Sequence, residues 1–104
     1  MKRPLIVEQI RKTLKEVAPE AQTILYGSEA RGDARPDSDI DLLVLLPGDK
    51  KTYADEYRII APLDDIEMKS GVSINPYILL KKTWDSRPYP TPFSLNVQRD
   101  GVLL

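Results

Sequence analysis

The chain has no cysteine and no histidine, and only one tryptophan, one phenylalanine and five glycines among its 104 residues. Without cysteine there are no disulfides and no thiolate metal sites. Without histidine there are no imidazole ligands, no Ser-His triad, and none of the commonest general base. A metal site here must be built from oxygen ligands, which favour Mg²⁺, Mn²⁺ or Ca²⁺. An excess of one charge is also lacking: 15 Lys and Arg face 16 Asp and Glu, for a net charge of −1. That balance offers no broad basic surface for nucleic acid, so a polyanion must be held at a local site or through a metal. The basic start Met1-Lys2-Arg3-Pro4 is not followed by a long apolar run, because Glu8, Gln9 and Arg11 interrupt it. The expectation is a cytoplasmic chain with no signal peptide and no membrane span.

The length fits one domain over residues 1–104. Leu5, Ile6, Gln9, Ile10, Thr13, Leu14 and Val17 fall at helical spacing between charged residues, which predicts an amphipathic helix over 5–17. Thr23 to Tyr26 reads as a buried strand ending at Gly27, and residues 28–32 as one helical turn closed by Gly32. Residues 33–38 have loop chemistry, and Asp39 to Leu46 reads as a second strand. Residues 52–69 read as a helix with Tyr53, Tyr57, Ile60, Leu63 and Ile66 near one face, which Pro62 should kink or split. A third strand is expected from Val72 to Leu80, a helical turn over Lys81 to Asp85, and a last helix from Phe93 to Arg99. Trp84 and Phe93 read as core or interface residues rather than a base-stacking platform, and Tyr53, Tyr57 and Tyr77 as core residues, with packing on a bound base as the alternative. Helices and strands alternate, so the class is α/β or α+β, a small mixed β-sheet flanked by helices.

Chemistry concentrates in residues 27–44. Alternation along a strand puts Asp39 and Asp41 on the same face, with Ile40 and Leu42 on the other. Two neighbouring carboxylates repel unless a cation lies between them, and Mg²⁺ commonly takes one or two carboxylates together with phosphate oxygens. Gly27 follows a strand and Ser28 opens a short helix. Backbone N–H groups at such a start can bind phosphate, a glycine lets the backbone approach closely, and the Ser28 hydroxyl can donate to a phosphate oxygen. Arg31, three residues on, could add a charge to that phosphate site or brace the loop. The pieces together describe metal-assisted chemistry on a nucleoside triphosphate.

These residues resemble the signature of the DNA polymerase β-type nucleotidyltransferases: Gly27-Ser28, ten residues, then Asp39-Ile40-Asp41. The longer run GSEARGDARPDSDIDLLV is similar to the minimal nucleotidyltransferases, and the stretch from Trp84 through PFSLNVQRDGVLL is similar to a subset of them. The resemblance implies the polymerase β-like nucleotidyltransferase fold, Mg²⁺ held by Asp39 and Asp41, and a triphosphate, usually ATP, bound by Gly27 and Ser28. It also implies a protein partner, since members of the group act as antitoxins that transfer AMP to a tyrosine of a HEPN toxin.

One departure stands out. Active members carry a third carboxylate on a later strand, and the matching strand here offers Ser73 and Asn75, neither of them an ordinary base near neutral pH. Asp64, Asp65 and Glu67 are acidic, but they are read on the preceding helix. Three readings therefore stand: an enzyme that nucleotidylates a partner protein, a weakened module that neutralises a partner by contact, and a transferase acting on a small molecule such as an antibiotic. The apolar ending Gly101-Val102-Leu103-Leu104 would fit a contact with a partner or a second subunit.

Overall fold

In the computed structural model, which describes residues 1–104, the central feature is a strand with apolar packing on both of its faces. This strand, β2 (Ile40–Leu46), has sequence IDLLVLL, and Asp41 is its only polar residue. On one side it pairs antiparallel with β1 (Gln22–Tyr26), and on the other it pairs parallel with β3 (Ile74–Leu80). A short fourth strand, β4 (Val102–Leu103), closes the far edge of β1, giving the order β3-β2-β1-β4. A strand buried on both faces must be nearly continuously apolar, and this one is.

Two helices cover one face of the sheet. Val7, Ile10 and Leu14 of α1 (Pro4–Val17) and Ile59, Leu63 and Ile66 of α3 (Tyr53–Ser70) meet Leu25, Ile40, Leu42, Val44 and Leu46 in the larger core. The opposite face is covered by α4 (Lys81–Asp85) and α5 (Pro92–Asp100), whose Trp84, Phe93 and Val97 pack on Leu43 and Leu45. A five-residue helix, α2 (Gly27–Arg31), follows β1 directly. The mixed sheet with flanking helices is the expected class. No helix is long and apolar enough to cross a membrane.

The structure corrects several local expectations. The buried stripe of α1 is Val7, Ile10 and Leu14, while Leu5 is 85% exposed. Ile6 and Val17 of the expected stripe pack against the same core, so the face is shifted only at its edge, where Val7 is buried and Leu5 is not. Pro62 does not split α3. It removes one backbone donor, but Ile59 before it and Leu63 and Ile66 after it are buried in the same core, which holds the two halves together. Tyr53 and Tyr57 point to solvent, 87% and 68% exposed, because the core stripe of α3 runs through Ile59, Leu63 and Ile66 instead. Tyr77 is 51% exposed and not a core residue. The third strand starts at Ile74, two residues later than expected, because Gly71 ends α3 in the left-handed conformation. The apolar ending forms an edge strand: Val102 lies opposite Leu25, Leu103 opposite Ile24, and Leu104 packs against the larger core, while Leu103 keeps 64% exposure.

A buried carboxylate ties the start of the chain to this frame. Glu29 of α2 is fully buried and accepts hydrogen bonds from the backbone N–H of Lys2 at 2.6 Å, from that of Arg3 at 2.9 Å, and from Arg3 Nε at 2.6 Å. Burial alone would raise the Glu29 carboxyl, but the donors from Arg3 and Lys2 outweigh it and hold it below its ordinary value. Its stabilising contribution is therefore fully present above the unfolded value, near 4.3. It is lost as pH falls through the lower folded value. Removing one partner of such a pair leaves the other buried and uncompensated, at a cost of about 3–5 kcal/mol. Glu29→Ala should lower stability in urea denaturation by that order at pH 7. The gap between variant and wild type should shrink on acidification below pH ~4, and a gap constant with pH would show that the carboxylate charge contributes nothing.

Candidate functional site

The hairpin formed by β1 and β2 explains the ten-residue spacing of the sequence motif. Tyr26, the last residue of β1, lies opposite Asp41 in the antiparallel register. Gly27 and Ser28 therefore begin α2 at the same end of the sheet where β2 starts, with Asp39 just before the strand and Asp41 second in it. The intervening residues fold away as α2 and a loop, in which the Ser38 hydroxyl accepts from the Arg35 backbone N–H.

Gly27 is required here for two separate reasons. Its φ of +79° lies in the left-handed region that favours glycine. A Cβ at this position would also stand 2.5 Å from Asp41 Oδ2. The Asp41 carboxylate thus fills the space that a side chain at residue 27 would need.

Asp39 is exposed at the lip of the site and Asp41 is half-buried behind it. Burial pushes the Asp41 carboxyl above its ordinary range; the hydrogen bond from Asn75 opposes this, and the charge of Asp39 adds to the rise. Burial likewise raises the neighbouring Tyr26 phenol, and the charge of Asp41 adds to it. An anion held in this way gains from a cation placed against it. All the side-chain donors here are oxygens or an amide, which suits a hard cation.

The parallel register distinguishes Ser73 from Asn75. Asn75 lies opposite Asp41, and its Nδ2 donates to Asp41 Oδ1 at 3.3 Å. Ser73 lies outside the strand and contributes its backbone carbonyl to the N–H of Ile40 at 2.9 Å. No three acidic side chains come together anywhere in the chain as a metal cluster. Glu67 stays on α3, where it accepts from the backbone N–H of Ile74.

Arg31 is held by two carboxylates, Asp33 at 3.2 Å and Asp100 at 3.0 Å. Its guanidinium thus ties α2 to the end of α5, while its charge still reaches Asp41. Sequence reasoning passed over Glu29 although it lies inside the motif. An acidic residue in the first turn of a helix is ordinary helix chemistry, and nothing local reveals that its partner is Arg3.

Comparison with known proteins follows this geometry. The nucleotidyltransferase domain family matches residues 7–85, a span that contains the glycine turn, both aspartates and Asn75. The chain belongs to that family and is a nucleotidyltransferase enzyme. A candidate protein adenylyltransferase of Methanocaldococcus jannaschii is 31% identical over 99 residues, covering 93% of each chain. A solved candidate minimal nucleotidyltransferase aligns over the whole of this chain and 97% of its own, at 25% identity and a TM-score of 0.63. A Shewanella oneidensis complex of a tri-AMPylated HEPN toxin with an MNT antitoxin aligns over 97% of this chain and 70% of its own, at 19% identity and a TM-score of 0.59, a likeness of fold.

The tight contact between Gly27 and Asp41 carries a prediction. Gly27→Ala must both adopt a strained φ and displace the Asp41 carboxylate, so it should cost about 1–3 kcal/mol of stability. Nucleotide affinity should fall with it, as read by calorimetric titration with ATP and Mg²⁺. Wild-type affinity in a folded variant would show that the close approach plays no part in binding.

Proposed function

We propose that this nucleotidyltransferase moves AMP from ATP to a hydroxyl of a partner protein, and that the partner is a toxin of the HEPN kind. The observation that carries the reading is the contact between the glycine turn and Asp41, which joins a phosphate-binding turn to a carboxylate pair at one end of the sheet. The name of the Methanocaldococcus relative and the AMPylated toxin in the Shewanella complex support the choice of nucleotide and acceptor. On this reading residues 1–104 form one nucleotidyltransferase domain.

Asp39 and Asp41 would hold Mg²⁺, and their oxygen-only chemistry and the raised proton affinity of Asp41 fit that ion. When bound, the ion neutralises charge on the triphosphate and polarises its phosphoryl oxygens. Gly27 and Ser28 bind the triphosphate through backbone N–H groups and the Ser28 hydroxyl, and Arg31 adds positive charge while bracing α2. The acceptor hydroxyl attacks the α-phosphorus, the bond to pyrophosphate breaks, and the proton passes to water. Asn75 positions Asp41 through its amide and cannot take that proton.

Asn75 also favours a second reading, in which a weakened enzyme neutralises its partner by contact. Label transfer from α-labelled ATP to the proteins of a source-cell lysate separates the two. The first reading expects a labelled band that wild type produces and Asp39→Asn does not. If instead the double variant Asp39→Asn/Asp41→Asn still neutralised a partner, contact alone would suffice.

Asn75→Asp tests the amide directly. A carboxylate there would face Asp41 and repel it, so the variant should melt lower than wild type without Mg²⁺ and gain more from adding it. Transfer should rise, by about 100-fold if the new group serves as general base. No gain from a folded, nucleotide-binding variant would mean that the acceptor needs no base at this position.

A further inference from the structure

The face of the sheet that carries Asp41 continues into an aromatic surface. Asp41 and Leu43 of β2 lie opposite Asn75 and Tyr77 of β3. Alternation puts Asn75 and Tyr77 on one face, about 6.6 Å apart along the strand. Because the Asn75 amide touches Asp41, Tyr77 stands one same-face step from the carboxylate.

The Tyr77 ring is firmly backed. It packs on Phe93 with centroids 5.3 Å apart and planes tilted by 38°. Phe93 in turn makes edge contacts with Tyr26 at 5.4 Å and with Trp84 at 5.9 Å. The Arg87 guanidinium lies 4.1 Å over the Trp84 ring, and Phe93 packs against the buried cluster of Leu43, Leu45 and Val97. Tyr77 nevertheless remains 51% exposed. The other exposed tyrosines, Tyr53, Tyr57 and Tyr89, have no aromatic partner of this kind. A ring that is braced from behind and open in front, next to a phosphate site, is a surface for a flat partner.

We propose that Tyr77, backed by Phe93, is the platform on which the base of the bound nucleotide stacks. The inference rests on the proposed nucleotidyl transfer and adds the place of the base. One ribose separates an α-phosphate from its base, and a single same-face step of β3 spans a comparable length. Stacking tolerates any base because each has a π-face, and a larger ring overlaps more. The platform therefore favours purines over pyrimidines without a strict choice between adenine and guanine.

Isothermal titration of the full chain with Mg²⁺, using ATP and inorganic tripolyphosphate as separate ligands, tests this. Tyr77→Ala should bind ATP about 10-fold more weakly and tripolyphosphate as wild type does. Tyr77→Leu, which keeps an apolar packing side chain but no ring face, should show the same loss and guards against a folding defect in the alanine variant. Tyr77→Phe should restore affinity, and Tyr53→Ala should change nothing. Unchanged ATP affinity in Tyr77→Ala and Tyr77→Leu overturns the platform, including the case where they raise only the KM for the acceptor protein. Equal weakening of ATP and tripolyphosphate overturns it too, since the phosphate site would then be what was disturbed. Wild type that binds neither ligand would instead overturn the nucleotidyl-transfer reading itself, a result distinct from losing the platform alone.

Discussion

Everything at the candidate site depends on one charge at the end of an otherwise apolar strand. β2 is buried on both faces, so each of its side chains must be apolar or answered by a partner. Asp41 is the exception, and its surroundings supply three answers. Asn75 donates a hydrogen bond across the parallel register, Gly27 leaves the carboxylate room where any Cβ would collide, and Asp39 stands beside it with a second negative charge. The first two accommodate the carboxylate. The third adds to the rise of the Asp41 carboxyl that burial begins.

A second buried charge has the opposite character. Glu29 is satisfied within the chain by the backbone and side chain of the first residues, so its carboxylate needs no ligand. It anchors α2 from below while Arg31, on the same short helix, reaches across to Asp100 at the end of α5. A helix of five residues has little stability of its own, and α2 holds its place through these two ion pairs. The Gly27-Ser28 turn at its start thus inherits its position from contacts with both ends of the chain. β4 strengthens that arrangement, because the residues directly after Asp100 and Gly101 pair with β1, the strand that leads into the turn.

The place of Asn75 bears on how catalysis would work. Nucleotidyl transfer draws on positioning and charge neutralisation as well as on proton removal. Under the proposed function, Gly27, Ser28, Asp39 and Asp41 would serve the first two, and Asn75 offers an amide and no base. The amide is not idle: as a donor it favours the ionised form of Asp41, whose carboxyl burial would otherwise push toward protonation. An acid in its place would do the reverse in the absence of metal.

The sequence by itself determined the element types and the family. The apolar run of β2, the Gly-Ser turn, the Asp-x-Asp and the ten residues between them are local patterns, and local periodicity and turn chemistry decide them. It also determined that any metal site must use oxygen, since no cysteine or histidine is present. Tertiary structure decided the rest, because those choices rest on pairings between distant residues. Period two left Ser73 and Asn75 equivalent, and only the register with β2 placed Asn75 at Asp41. Helical spacing put Ile6, Ile10, Leu14 and Val17 on the apolar face of α1, and the sheet decided that Val7 joins them while Leu5 faces solvent. Glu29 and Arg3 are 26 residues apart, and β4 finds β1 across most of the chain, so neither pairing leaves a local signal. Whether an aromatic residue is buried depends on what covers it, which is why Tyr77, read as a packing residue, proved to be the open ring beside the carboxylates.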